Sequence, residues 1–161
     1  MSATAPRRKT TRRMNFSMID TKEQRQAALS HARSMVGVKF RHRGRQPWAV
    51  DCWGLVVLSC AAAGLQVGDK KYYGREPWKD GLREHLQECF GNPIPEEQWQ
   101  PGDVAMFKAK NRGPCHVGFL ADYRYGGFSL VHSHAQHNVV EHVLDKRWRH
   151  LLVEVYSPWD H

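Results

Sequence analysis

The chain has 161 residues, enough for one domain with a substantial core, and its 41% hydrophobic and 11% aromatic content points to a globular body. Of the formal charge of +8, Arg7, Arg8, Lys9, Arg12 and Arg13 supply +5 ahead of the first acidic residue, Asp20, so the rest is only mildly basic at +3. No apolar run reaches the roughly 18 residues that a membrane helix needs, the basic start leads into polar sequence instead of a signal-peptide apolar segment, and cysteines at 52, 60, 89 and 115 without CxxC spacing indicate neither a zinc ribbon nor a disulfide framework.

Residues 1–17 mix Ser, Thr, Ala, Pro, Arg and Lys with little to bury and are expected to be a basic flexible arm, followed by one domain over 18–161. The arm is the only feature that suits nucleic acid, which is therefore not expected as a partner. Asp20-Thr21-Lys22-Glu23 is a capping-box-like start for a helix running to about Val36, with Gly37 ending it. Residues 38–48 form a basic, aromatic loop whose cations could meet substrate carboxylates. Asp51-Cys52-Trp53-Gly54 then opens an apolar helix through Cys60, closed at Gly64. A further helix is expected over Lys79–Phe90, with Leu82, Leu86, Cys89 and Phe90 on one face and Gly91-Asn92-Pro93 as its stop. Cys60 and Cys89 belong to these apolar patterns.

After Pro101-Gly102-Asp103 the period changes. Short β-branched or aromatic runs at Val104–Phe107, His116–Ala121, Phe128–His132, Val139–His142 and Leu151–Tyr156 are separated by Gly, Asn and Asp, as in antiparallel strands, with a hairpin turn over 122–127. Helices first and a strand meander afterwards predict an α+β domain. No repeat and no phosphate-cradling glycine motif occurs.

Cys52 falls in the first turn of a core helix, where free N–H groups and the helix dipole favour a thiolate, so the residue is expected to react well below pH 8. A cysteine followed in sequence by His116 and His132 is a recurring order for a nucleophile, its base and an orienting partner. The histidines at 132, 134, 137 and 142 beside Cys115-His116 lack metal-ligand spacing, so no metal site and no cofactor is expected.

Asp51-Cys52-x-Gly54-Leu55-Val56, Pro101-Gly102-Asp103-Val104, His116-Val117-Gly118 and Leu130-Val131-His132, in this order, resemble the NlpC class of papain-like cell-wall cysteine peptidases. Val38–Gly44, Val139–Leu144 and Trp148-Arg149 are similar to the branch carried in phage tails and phage-like particles. The resemblance implies a papain-like fold with N-terminal helices packed on an antiparallel sheet. It implies Cys52 as nucleophile, His116 as general base and acid, and His132 as third member, preferred over His134 two residues on. Phe40 stands where the family often has a tyrosine, and Trp53 where a small polar residue is usual; with Asp51 and Arg41 they are the expected substrate-contacting residues. The implied substrate is the peptide stem of bacterial peptidoglycan, the implied partners are phage tail hub or tip proteins, and the implied location is the virion after assembly in the host cytoplasm, with action in the cell wall or periplasm.

Overall fold

The structure, a computed structural model, describes residues 21–70 and 73–159. The arm at 1–17 and the Asp20 cap lie outside them. Helix α1 (Thr21–Ser34) buries Ala28, Leu29 and Ala32 at helical spacing, together with Arg25. It ends two residues before Val36, and residues 35–37 turn at Gly37, whose φ of 94° suits glycine.

The segment expected as a loop before Cys52 is instead a small sheet. Strands β1 (Lys39–Phe40), β2 (Arg45–Gln46) and β3 (Ala49–Val50) pair in the order β1-β3-β2. Two-residue strands carry no detectable period, so alternation could not reveal them. Helix α2 (Cys52–Ala62) follows and is apolar nearly all round, as a helix buried on most faces must be. Helix α3 (Leu82–Phe90) starts three residues later than expected because Gly81 adopts φ 76°, outside the helical region, as its N-cap.

Five strands form the main sheet: β4 (Val104–Lys108), β5 (Pro114–Asp122), β6 (Phe128–His134), β7 (Asn138–Val143) and β8 (Leu152–Tyr156), in the antiparallel order β7-β6-β5-β4-β8. The 122–127 turn is the hairpin expected: Tyr123 N–H donates to Gly127 O at 3.1 Å, and Gly126 and Gly127 both have positive φ. Between β7 and β8 lies a short helix, α4 (Lys146–Leu151), which the sequence reading did not foresee. Six residues are too few for a period, but Asp145 caps it by accepting from Trp148 N–H at 3.0 Å.

Both sheet faces are covered. Val104, Met106, Val117, Phe119 and Val131 face α1, α2 and α3 in one core, while Ala105, Phe107, Leu120, Leu130 and Val155 face α4 and its Trp148 in a second. This alternation puts residues 117 and 119 on the helical side and 116, 118 and 120 on the other. A buried ion pair, Arg25 Nη1 to Asp103 Oδ1 at 2.6 Å, ties α1 to the turn before β4. The Pro101-Gly102-Asp103 signature is thus a structural joint. The small sheet is stitched to the edge strand β7 by Gly37 N–H to Val139 O at 2.8 Å and Val139 N–H to Val38 O at 3.0 Å.

Candidate active site

Asp51 is the N-cap of α2, and its carboxylate has no free acceptor position. Oδ1 accepts from Gly54 N–H at 2.7 Å and Arg45 Nη1 at 3.0 Å; Oδ2 accepts from Arg43 N–H at 2.9 Å and from the Tyr73 hydroxyl. Those are the four lone-pair sites of a carboxylate. Asp51 therefore builds the helix start, with no acceptor position left over for a substrate, and it is only 3% exposed. Arg45 is held as well, bridging Asp51 and Asp69, and Arg43 donates to Tyr73 O at 2.7 Å. Two of the cations expected to meet substrate are thus locked inside the protein's own network. Tyr73 was not singled out by the sequence; it reaches Asp51 from a turn 22 residues away, with only its aromatic character as a signal.

The glycine of the Asp-Cys-x-Gly signature has a steric cause. A Cβ at Gly54 would lie 2.1 Å from Gly44 O, so only glycine lets the β1–β2 turn seat against α2. Gly118 has a similar one: a Cβ there would meet His132 Cβ and Leu130 Cδ1, each at 2.8 Å. The missing side chain opens the space over β5 in which the rings of His116 and His132 meet.

They meet at hydrogen-bond distance: His116 Nε2 lies 2.7 Å from His132 Nδ1. His132 is 1% exposed, and its Nε2 lies 2.8 Å from His142 Nε2; His142 Nδ1 in turn lies 2.9 Å from Val143 O. His134 makes no hydrogen bond to His116; its Nδ1 accepts from Gln136 N–H at 3.1 Å. The Trp148 ring stands 5.9, 4.9 and 5.4 Å from the rings of His116, His132 and His142, so α4 roofs the three imidazoles. Trp148 had been noticed only as part of a resemblance. No group of three or more His, Cys, Asp or Glu among the described residues is arranged to hold a metal ion.

Cys52 occupies the first position of α2, and its Sγ receives the N–H groups of Val117 and Trp53. Val117 follows His116 along β5, and Cys52 and His116 line one open cleft. No hydrogen bond joins the two side chains among the described residues. Burial and the Asp51 charge push the Cys52 thiol up to about 12, outweighing the two amide donors. Burial, then the charges of His134 and His142, holds His116 down to about 3, and burial with the other histidines holds His132 down to about 2. The resting pair is a neutral thiol and a neutral imidazole, not the thiolate that the helix end alone had led us to expect. The expectation weighed the dipole but left out burial, the larger effect, and the carboxylate next door.

A measurable consequence follows for wild-type protein. Alkylation of Cys52 by iodoacetamide, read by peptide mass spectrometry, should rise about tenfold per pH unit from pH 8 to 10 without levelling off. Asp51→Asn leaves burial, the larger cause, in place but removes the neighbouring charge that adds to it, and should move that profile to lower pH. A plateau below pH 7 in wild type would show an ion pair already formed.

Of the remaining expected contacts, Phe40 lines the cleft from β1, and its N–H donates to Asn138 Oδ1 at 3.1 Å. Arg41 is exposed and does not line the cleft. Trp53 is 3% exposed, packs edge-on against His85 at 5.2 Å and near Phe90 at 6.1 Å, and borders a small recess beside Cys52. It acts as core, with no acceptor for its Nε1–H among the described residues. The cations on the cleft are Arg75, Lys108, Lys110, Arg112, Lys146 and Arg147, opposed on its walls by Asp51 alone, which Arg45 already neutralises. They come from the end of β4 and the β4–β5 turn, from α4 and, for Arg75, from the segment before α3, not from the 38–48 segment.

A helix N-terminus carrying a cysteine, packed on an antiparallel sheet that carries a hydrogen-bonded histidine pair, defines an α+β fold of the papain-like kind, and the chain belongs to the NlpC/P60 family, whose model matches residues 37–157. Among solved structures it is similar to NlpC1 from Trichomonas vaginalis (16% identity, TM-score 0.61, 86% of this chain and 45% of that one). It is also similar to an NLP/P60 family protein from Staphylococcus aureus (17%, TM-score 0.65, 86% and 42%), and it spans less than half the length of either. It matches the NlpC/p60 domain of the peptidoglycan hydrolase SagA at 21% identity and a TM-score of 0.57, over 83% of this chain and 97% of that domain. No curated protein matches the chain.

Proposed function

We propose that the chain is a cysteine endopeptidase that hydrolyses amide bonds in peptidoglycan stem peptides. The observation that carries this reading is the one cleft lined both by Cys52, at a helix N-terminus, and by His116, which lies at hydrogen-bond distance from His132. His116 Nδ1 takes the thiol proton as Sγ bonds to the amide carbon; the charge pair so formed attracts itself, which offsets the burial that keeps both groups neutral at rest. The Cys52 N–H, at the first helical position with no intrahelical acceptor, donates to the oxyanion. As the C–N bond breaks, the His116 proton passes to the leaving amine. Water then attacks the thioester carbon, giving its proton to His116, and Sγ leaves and recovers that proton.

The cationic cleft supports an acidic substrate such as a stem bearing the free carboxylates of D-glutamate and diaminopimelate. With a synthetic stem peptide, KM is expected to rise severalfold between 50 and 500 mM salt, both concentrations being on the order of those at which screening becomes strong. A peptide with amidated carboxylates should bind worse. Equal KM for both peptides at all salt concentrations would remove charge from the recognition.

We place the enzyme on a phage tail tip, with tail hub or tip proteins as partners, a basic arm at 1–17 ahead of the domain at 18–161, and local wall opening during genome entry as its task. The support is the likeness of Val38–Gly44, Val139–Leu144 and Trp148-Arg149 to that branch. Its presence among the proteins of purified particles is the test. A second reading, a structural tail module of the same fold with little activity, is favoured by the neutral, raised Cys52 thiol and its lack of a hydrogen bond to His116.

A further inference from the structure

His142 carries no role in the reaction described so far, yet it is the third ring in a line that starts at His116. The two ends of that line are chemically unlike. At the far end the partner of His142 Nδ1 is the Val143 carbonyl, which can only accept, so Nδ1 carries the hydrogen. A neutral imidazole has one N–H, so His142 Nε2 is an acceptor, and the hydrogen in the 2.8 Å contact belongs to His132 Nε2. His132 Nδ1 is then an acceptor, and the hydrogen in the 2.7 Å contact belongs to His116 Nε2. What remains is a bare lone pair on His116 Nδ1, the atom that must take the proton of Cys52. We infer that His142 is a positioning residue which, by accepting from His132, fixes the tautomers of His132 and His116 and so keeps the general base open at Nδ1.

Three features hold His142 to this task. It sits on β7 opposite Leu130, on the same sheet face as His132, whose own partner is Val140; the two rings are diagonal cross-strand neighbours with centroids 4.9 Å apart. The register of β7 is pinned at the preceding residue, where Glu141 accepts from Arg33 Nη2 at 3.0 Å and from Ser129 Oγ at 2.7 Å. The Trp148 ring packs against all three imidazoles, with centroids 5.9, 4.9 and 5.4 Å from His116, His132 and His142, and so restricts how those rings can turn. Without an acceptor at His142, His132 can turn its hydrogen to Nδ1 and donate to His116, which then holds its own hydrogen at Nδ1 and cannot act as base. A third residue that orients a base is ordinary in hydrolases; here the orienter is itself oriented.

This inference rests on the hydrolase reading for its kinetic consequence but not for its spectroscopic one. Long-range 1H–15N correlation on full-length, 15N-labelled protein at pH 7.5 should give His116 and His132 as Nε2–H tautomers and His142 as Nδ1–H. In His142→Leu the signals of His132 and His116 should shift toward mixed tautomers, and kcat on a stem peptide should fall on the order of 10–100-fold with KM within about twofold. His142→Gln, whose amide oxygen can stand where Nε2 stood, should restore the wild-type tautomers and kcat to within about threefold. An Nε2–H tautomer at His142 in wild type, or unchanged tautomers and kcat in His142→Leu, would overturn the inference. Should His142→Leu not fold, the wild-type and His142→Gln spectra decide it. A wild type with the expected tautomers but no turnover would count against the proposed function while leaving the positioning chain standing.

Discussion

Gly54→Ala should be among the most damaging single substitutions in the domain, costing about 3 kcal/mol or more. The new Cβ would stand 2.1 Å from Gly44 O, and a backbone oxygen in a tight turn cannot swing aside as a flexible side chain could. Alanine's better helix propensity returns at most about 1 kcal/mol. Either α2 or the β1–β2 turn must move, and that turn supplies the Arg43 N–H that Asp51 accepts at 2.9 Å. Stability and the placement of Cys52 should therefore fail together. By differential scanning calorimetry we expect Tm to drop by roughly 10 °C, against no more than a degree or two for Gly68→Ala, whose Cβ would meet only Cys89 Sγ at 3.8 Å. Equal Tm values for the two variants would mean that the contact at Gly44 is not a constraint.

The largest kinetic effect away from the nucleophile should come from the base. His116→Ala is expected to lower kcat about 10^3-fold or more, because both the thiol proton and the leaving amine lose their transfer partner. His132→Ala should cost about 10^2–10^3-fold by freeing the His116 ring, whereas His134→Ala should stay within about threefold, since His134 spends its Nδ1 on Gln136 N–H. Stopped assays on a synthetic stem peptide, with folding checked by circular dichroism, separate these cases. A His134→Ala variant as impaired as His132→Ala would reassign the third position.

The strands and the order of the site were legible because they rest on local pattern. β-branched and aromatic runs between turn residues marked all five strands of the main sheet to within two residues at every end, and helix-start chemistry at Asp51-Cys52 marked α2. Gly54 and Gly118 were visible as parts of motifs, though their reason, a carbonyl 10 residues back and the His132 and Leu130 side chains across the sheet, was not. What stayed hidden was non-local or very short. The three two-residue strands and α4 have no period to detect. Tyr73, Trp148 and His142 reach the site from a turn, a one-and-a-half-turn helix and an edge strand, and nothing in their own neighbourhoods says so. The charge state of Cys52 was misjudged for a different reason: the helix N-terminus draws a proton off the thiol, but burial and the Asp51 carboxylate hold it on, and the balance of the three needs their geometry.

The most direct test of the central claim is mass spectrometry of muropeptides released from purified sacculi by the wild-type protein and by Cys52→Ala. The account predicts new stem-peptide fragments from wild type, whose termini identify the bond, and none from Cys52→Ala. Identical undigested profiles from both, with wild type folded and its Cys52 open to alkylation, would contradict hydrolysis and leave the fold as a structural module.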